Sequence, residues 1–208
     1  MLLFSNNSIG ETKYPSDSSL TDKNIPAYRK VFILPISVWQ RLSYNLSFLN
    51  CQYTPSCSNF AVESISKHGL LLGTVMTTDR IIRCNPFALY YYSKENNLTE
   101  KDITPYYGHK CIPDPVPLEN VVLINNNHIE STCLSMIIPG AGRIYQGRFW
   151  DGLFSFITFS LCSYNAYQSY RNDQYVKFGV FSIISIAFYG GEIYGVNSYN
   201  NELHIKKP

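Results

Sequence analysis

Three features predict an all-α protein, a small three-helix domain followed by a two-helix transmembrane hairpin. Apolar side chains recur at three- and four-residue steps in segments 31–49, 55–68 and 70–84, the spacing of one helix face. Proline and glycine stand where such helices should start and stop. Two runs near the C-terminus, Gly152 to Tyr170 and Phe178 to Gly191, contain no charged side chain.

Composition allows this architecture. The chain has 208 residues, 45% of them hydrophobic and 15% aromatic, enough for a core and too apolar for a disordered protein. A formal net charge of +2 does not favour a nucleic-acid partner, which requires Lys and Arg clustered along a strongly basic face.

Residues 1–24 are rich in Ser, Asn, Asp, Lys and Thr, and their apolar stretch is limited to Leu2, Leu3 and Phe4. That is too short for the core of a signal peptide, so a flexible leader is expected. Residues 31–49 place Val38, Leu42, Leu46 and Leu49 on one stripe of an amphipathic helix, with Pro35 expected in its first turn. Trp39 and Arg41 suit a lipid interface; the competing reading packs the stripe on the next helices.

Thr54 before Pro55 reads as a helix start and Gly69 as its end, which predicts a helix over 55–68. Cys57, Ala61, Ile65 and His68 then share a face. The following segment, 70–84, turns Leu72, Val75, Met76 and Ile82 inward and leaves Asp79 and Arg83 as an i,i+4 pair. Between Arg29 and Cys84 the basic residues Arg29, Lys30, Arg41, Lys67, Arg80 and Arg83 face only Glu63 and Asp79. A basic face of Arg41, Arg80 and Arg83 is therefore expected against anionic lipid, at roughly 1 kcal/mol per side chain near the surface.

Cys51, Cys57, Cys84 and His68 invite a zinc reading, but structural zinc sites usually contain a ligand pair two to four residues apart, and the two closest cysteines here have five residues between them. No metal or cofactor is assigned from spacing alone; a structural disulfide and buried apolar thiols remain alternatives. Cys111, Cys133 and Cys162 show no pairing pattern, and the thiols are expected to be reduced. Cys57 and His68 on one face lack the orienting third group of a nucleophilic site, so no catalytic residue is assigned.

Residues 87–110, with Tyr90-Tyr91-Tyr92 and a charged middle, read as an inserted loop. Pro113-Asp114-Pro115-Val116-Pro117 cannot be helical and closes the first domain, which spans 25–117. A linker over 118–130 leads to the hairpin and tail of 131–208. Arg171, Asn172, Asp173 and Gln174 form the polar turn between its two runs, each at or slightly below bilayer length and flanked by tyrosines. The glycines of Pro139-Gly140-Ala141-Gly142 do not make a nucleotide loop, having no preceding strand and no third glycine in place; they are expected to permit a tight turn and close helix contact. Arg143, Arg148, Lys206 and Lys207 outnumber Arg171 and Lys177 of the turn, which favours both termini on the cytoplasmic side.

The stretch from Cys51 to Cys84 resembles the YidD family of small bacterial membrane protein insertion efficiency factors. Without gaps, the chain presents Gln40-Arg41, Cys51, Pro55, Cys57-Ser58, His68-Gly69, Arg83-Cys84 and Pro86 at that family's spacings, and beyond the insertion 87–110 an Asp114-Pro115 end mark also fits. It departs at Asn45, where the family usually has proline, at Asp79 for a lysine and at Asn85 for a histidine. The run Pro139 to Gly152 looks like the opening of two-helix membrane hairpins of the TM2 type. The resemblance implies a non-enzymatic accessory factor that aids insertion of integral membrane proteins at the bacterial inner (plasma) membrane. It implies membrane lipids, an insertase or secretion channel and nascent membrane proteins as partners, with the first domain on the cytoplasmic side and no small-molecule substrate. Two other readings stay open, a thiol or zinc structural protein and a membrane-perturbing, haemolysin-like protein.

Overall fold

The computed structural model describes residues 14–43, 51–85, 87, 104–106, 109–117 and 129–204. Its described residues form eight helices and one small sheet. The fold is helical, as expected, but not built from two separate parts.

The first helix, α1 (Pro15–Thr21), lies within the expected leader and packs on α2 (Ala27–Ser43). The anchor is Gln40, whose Oε1 accepts the Ser16 N–H at 3.2 Å. Helix α2 begins four residues earlier than expected because Pro26 opens it, its carbonyl accepting the N–H groups of Arg29 and Lys30. Pro35 consequently stands inside the helix, not in its first turn. Leu46 and Leu49 lie outside the described residues.

Helix α3 (Cys57–His68) starts two residues later than the Thr54-Pro55 signal suggested. Thr54 belongs instead to strand β1 (Tyr53–Thr54), and Ser56 caps the helix by accepting the Asn59 N–H at 3.4 Å. Gly69, at φ +85°, ends α3 as expected and leads directly into α4 (Leu70–Arg83). Met76 and Ile82 are buried and Leu72 and Val75 partly so, as the periodicity required.

Strand β1 runs parallel to β3 (His109–Pro113), pairing Tyr53 with Ile112, and β2 (Thr104–Tyr106) runs antiparallel to β3. The end of the expected loop 87–110 is therefore a short hairpin, stitched to the module's own strand. Residues 88–103, with the Tyr90 cluster, lie outside the described residues, as does the linker 118–128.

Helices α5 (Ile129–Ile137) and α6 (Ala141–Tyr145) form the base of the C-terminal part. Gly140, at φ +92°, makes the turn between them, and a Cβ there would collide with the backbone of Gly152. This meets the expectation of a tight turn and close contact. Helix α7 (Phe149–Arg171) and α8 (Tyr175–His204) then form an antiparallel pair, tied by Ser163 Oγ to Ser185 Oγ at 2.7 Å and by Phe159 on Tyr189 and Tyr170 on Phe178. The turn falls at Asn172 to Gln174, with Asp173 at φ 55°.

Helix α8 is longer than its uncharged run, and the excess has a purpose. Its second half packs along α4, so that Tyr194 shares a core with Phe60, Met76 and Val116. A second core joins Ile33 of α2 to Val62 and Ile65 of α3. The hairpin thus completes the interior of the module that it follows in sequence.

Candidate functional site

Two features converge around α4 and a third lies on the outer surface. The first is a thiol cluster. Cys51 precedes β1, Cys57 opens α3 and Cys84 closes α4, and these three elements bring Cys51 Sγ to 3.1 Å from Cys57 Sγ and 3.6 Å from Cys84 Sγ. All three sulfurs lie within 4.8 Å of one another, and the Cys57 N–H points at Cys51 Sγ at 3.3 Å. Hydrogen bonds from Cys57 and Cys84 favour a Cys51 thiolate and hold its pKa well below the ordinary thiol value. The same sharing pushes the Cys57 and Cys84 thiols up. His68 is not part of this group: its Nε2 bonds the Pro117 carbonyl at 2.8 Å and fastens the proline-rich end of the module to α3.

The second feature is a buried charged seam. Arg83 reaches Asp79 at 2.9 Å and Asp114 at 3.0 Å, realising the expected i,i+4 pair. Asp79 also accepts Arg143 Nη2 at 2.7 Å, and Arg143 Nε meets Glu192 at 2.6 Å. Arg148 pairs with Asp151 at 2.6 Å, while Asn85 Nδ2 donates to the other Asp151 oxygen at 2.6 Å. Ser135 completes the Glu192 carboxylate at 2.9 Å. Four arginines (80, 83, 143, 148) balance four carboxylates (79, 114, 151, 192). Burial pushes the Asp79 carboxyl up, but Arg83, Arg143 and Arg148 outweigh it and hold the group below its ordinary range.

This seam corrects one expectation. Arg80 and Arg83 do not present a basic face to lipid, for they are 0% and 5% exposed. Arg80 donates to the Pro55 carbonyl at 2.6 Å and lies over the rings of Phe60 and Tyr53, 4.3 and 5.1 Å from their centroids. Arg41 is at the surface, but paired with Asp17 at 3.0 Å. Buried guanidinium groups cannot leave their carboxylates without stranding them. The remaining motif residues are also structural ties. Gln40 Nε2 bonds Asn59 Oδ1 at 2.8 Å, Ser58 lies beside Ser56, Gly69 sits against the Arg29 guanidinium, and Pro115 is exposed. Pro86 lies outside the described residues.

The third feature is an inverted surface. On α2, Tyr28, Val31, Leu34, Val38, Trp39 and Leu42 are exposed, whereas Ile33, Ser37, Gln40 and Ser43 are buried. Val38 and Leu42 of the expected stripe face outward. The hairpin continues the theme, with Phe156, Ile157, Leu161, Val180, Ile183 and Ile186 exposed between a tyrosine-flanked tip and the charged seam. Tyr175–Ser198 is the one helix segment, among the described residues, long and apolar enough to cross a membrane. Its partner α7 has the length, 23 residues, but does not reach the same apolarity.

Sequence reasoning missed the seam's long-range partners, Arg143 with Asp79 and Asp151 with Asn85. The available signal was positional: Asp151 and Glu192 each border an uncharged run, where a lone carboxylate needs a cation.

Such a molecule is, by class, a helical membrane-associated protein in which a cysteine-bearing module is docked on an apolar hairpin. A family model described as "Putative membrane protein insertion efficiency factor", YidD, matches residues 28–94. Proteins bearing that same name match from Thermosynechococcus vestitus, 44% identical over 30% of this chain and 70% of the relative, and from Thermotoga maritima, 42% identical over 29% and 74%. One from Marinobacter nauticus is 35% identical over 41% of this chain and 87% of its own length. The chain belongs to the YidD family. No solved structure matches.

Proposed function

We propose that this protein is a non-enzymatic accessory factor that aids insertion of integral membrane proteins into the bacterial inner membrane. The observation that carries the reading is the outward apolar face of α2 beside a hairpin whose side chains also face outward. A soluble helix buries its apolar stripe; one that buries Ile33 beside the polar Ser37, Gln40 and Ser43 and exposes Val31, Leu34, Val38, Trp39 and Leu42 is built for a less polar surrounding. The name carried by its relatives supports the role.

On this reading the hairpin stands in the bilayer with its Arg171 to Gln174 turn toward the far headgroups. Residues 154–171 of α7 rise about 26 Å at 1.5 Å per residue, slightly short of a hydrocarbon core of roughly 30 Å. Arg171 and Lys177 can extend their charged ends past the apolar layer, and Tyr170 and Tyr175 suit the interface. The module and α2 then lie on the cytoplasmic face, beside an insertase or secretion channel, where α2 offers an apolar shelf to lipid and to emerging apolar segments. Binding, not bond making, is the work of such a surface.

The test is photo-crosslinking from Leu42 in growing cells. A photoactivatable residue there, combined with pulse labelling, should trap nascent membrane proteins or the insertase. Adducts with lipid alone would overturn the accessory role while leaving the membrane placement intact.

A further inference from the structure

We propose that Cys51, Cys57 and Cys84 bind one zinc ion through three thiolates, a metal site independent of the insertion role. The three side chains come from three elements, the approach to β1, the first residue of α3 and the residue that ends α4. Nothing local in sequence brings them together, since 5 and 26 residues separate them, the longer stretch being α3 and α4 themselves. The fold itself aims three sulfurs at one point, all within 4.8 Å of each other.

Sulfurs bound to one tetrahedral zinc at about 2.3 Å stand about 3.8 Å apart. Cys51 and Cys84 already stand at 3.6 Å, and Cys51 and Cys57, at 3.1 Å, need only a side-chain adjustment. A disulfide is the weaker account, because any pair closed to about 2.05 Å strands the third thiol against it. Apolar packing is weaker too: all three residues are only half-buried, and the Cys57 amide hydrogen is directed at Cys51 sulfur, a contact suited to a thiolate. The described residues supply no fourth side-chain ligand to the group, so one coordination position is left for water or an outside donor. Soft sulfur ligands favour zinc over magnesium or calcium. The ion would tie the sheet edge to both ends of the α3–α4 pair. The spacing rule that argued against zinc applies to paired ligands on one turn, which this site does not use.

The experiment uses full-length protein in detergent, purified under reductant, stripped with EDTA and titrated with zinc chloride. The expected result is one zinc per chain by atomic spectroscopy, with three of the six cysteines shielded from alkylation. Cobalt(II) in place of zinc should give intense thiolate-to-metal charge transfer in the near ultraviolet. Cys51→Ser and Cys57→Ser should each weaken zinc binding at least a hundredfold, and Cys162→Ser should leave it unchanged. If a serine variant does not fold, the wild-type cobalt spectrum still decides. Absence of charge transfer in the wild type, or a Cys51–Cys57 disulfide in protein alkylated at the moment of lysis, overturns the proposal.

Discussion

Asp79 is the residue on which two parts of the chain meet. Its link to Arg83 was legible, being one helical turn away; its link to Arg143 was not, because 64 residues separate them. The burial of Arg80 and Arg83 was legible in principle, since both continue the inward face begun by Met76, and a count of local charge obscured it. Asp79 and Asn85 are also two of the three positions that depart from the family pattern, and both contact the C-terminal part, through Arg143 and Asp151. Replacing Asp79 by Leu removes a carboxylate shared by two buried arginines, leaving Arg143 with Glu192 alone, Arg83 with Asp114 alone and the seam one negative charge short, a loss on the order of 3–5 kcal/mol. Thermal unfolding of the purified variant should show it, and adding Arg143→Leu together with Glu192→Leu should recover part of the loss, because Arg143 and its buried partner Glu192 then leave as a pair and no charge is stranded. A triple variant no more stable than Asp79→Leu alone would count against direct coupling. The pH response has a definite sign. The folded Asp79 pKa lies below its unfolded value of about 3.9, so its stabilisation is complete above that value and fades as pH falls through the folded one. Melting temperatures should change little through this group between pH 7 and pH 5 and drop below about pH 4, with a smaller acid drop in Asp79→Leu.

Among the elements, α3 and α4 were legible to within two residues because capping and glycine signals are local. The start of α2 was not, since Pro26 competed with Pro35 for the same signal. The small sheet was missed for a different reason: β1 has two residues and gains its partner from β3, far along the chain. Helix α8 shows how one element serves two surroundings, apolar and exposed in its first half, closely packed on α4 in its second. Gly191 permits that approach, for a Cβ there would meet the Asp79 nitrogen and Thr78 at 2.8 Å. Gly191→Leu should therefore separate α8 from α4, seen as faster proteolysis of the full-length protein and a lower melting temperature; unchanged digestion would argue against the docking. Helix α2 carries a separate expectation. In a Trp150→Phe protein reconstituted in liposomes, Trp39 is the sole tryptophan and should be quenched by lipids brominated near the headgroup. Quenching by aqueous iodide instead would place α2 in water.

In the whole molecule, a family module is joined to a hairpin through a shared core and a buried set of ion pairs. Two uncharged runs flanked by tyrosines made the hairpin legible, and the Cys51 to Cys84 spacing made the module legible; their joint interior was not, since it depends on contacts across more than 60 residues. On the proposed reading, with the hairpin in the bilayer, a module docked on it through the seam holds α2 at a set height and orientation relative to the membrane, whereas a flexible tether would let it wander. In that reading the α7–α8 hairpin is embedded in lipid and carries the module on the membrane surface. Alkaline carbonate extraction of bacterial membranes containing the full-length protein tests this placement. The protein should stay with the membrane pellet, as an integral protein does; its release into the supernatant would show that the hairpin is not embedded in lipid.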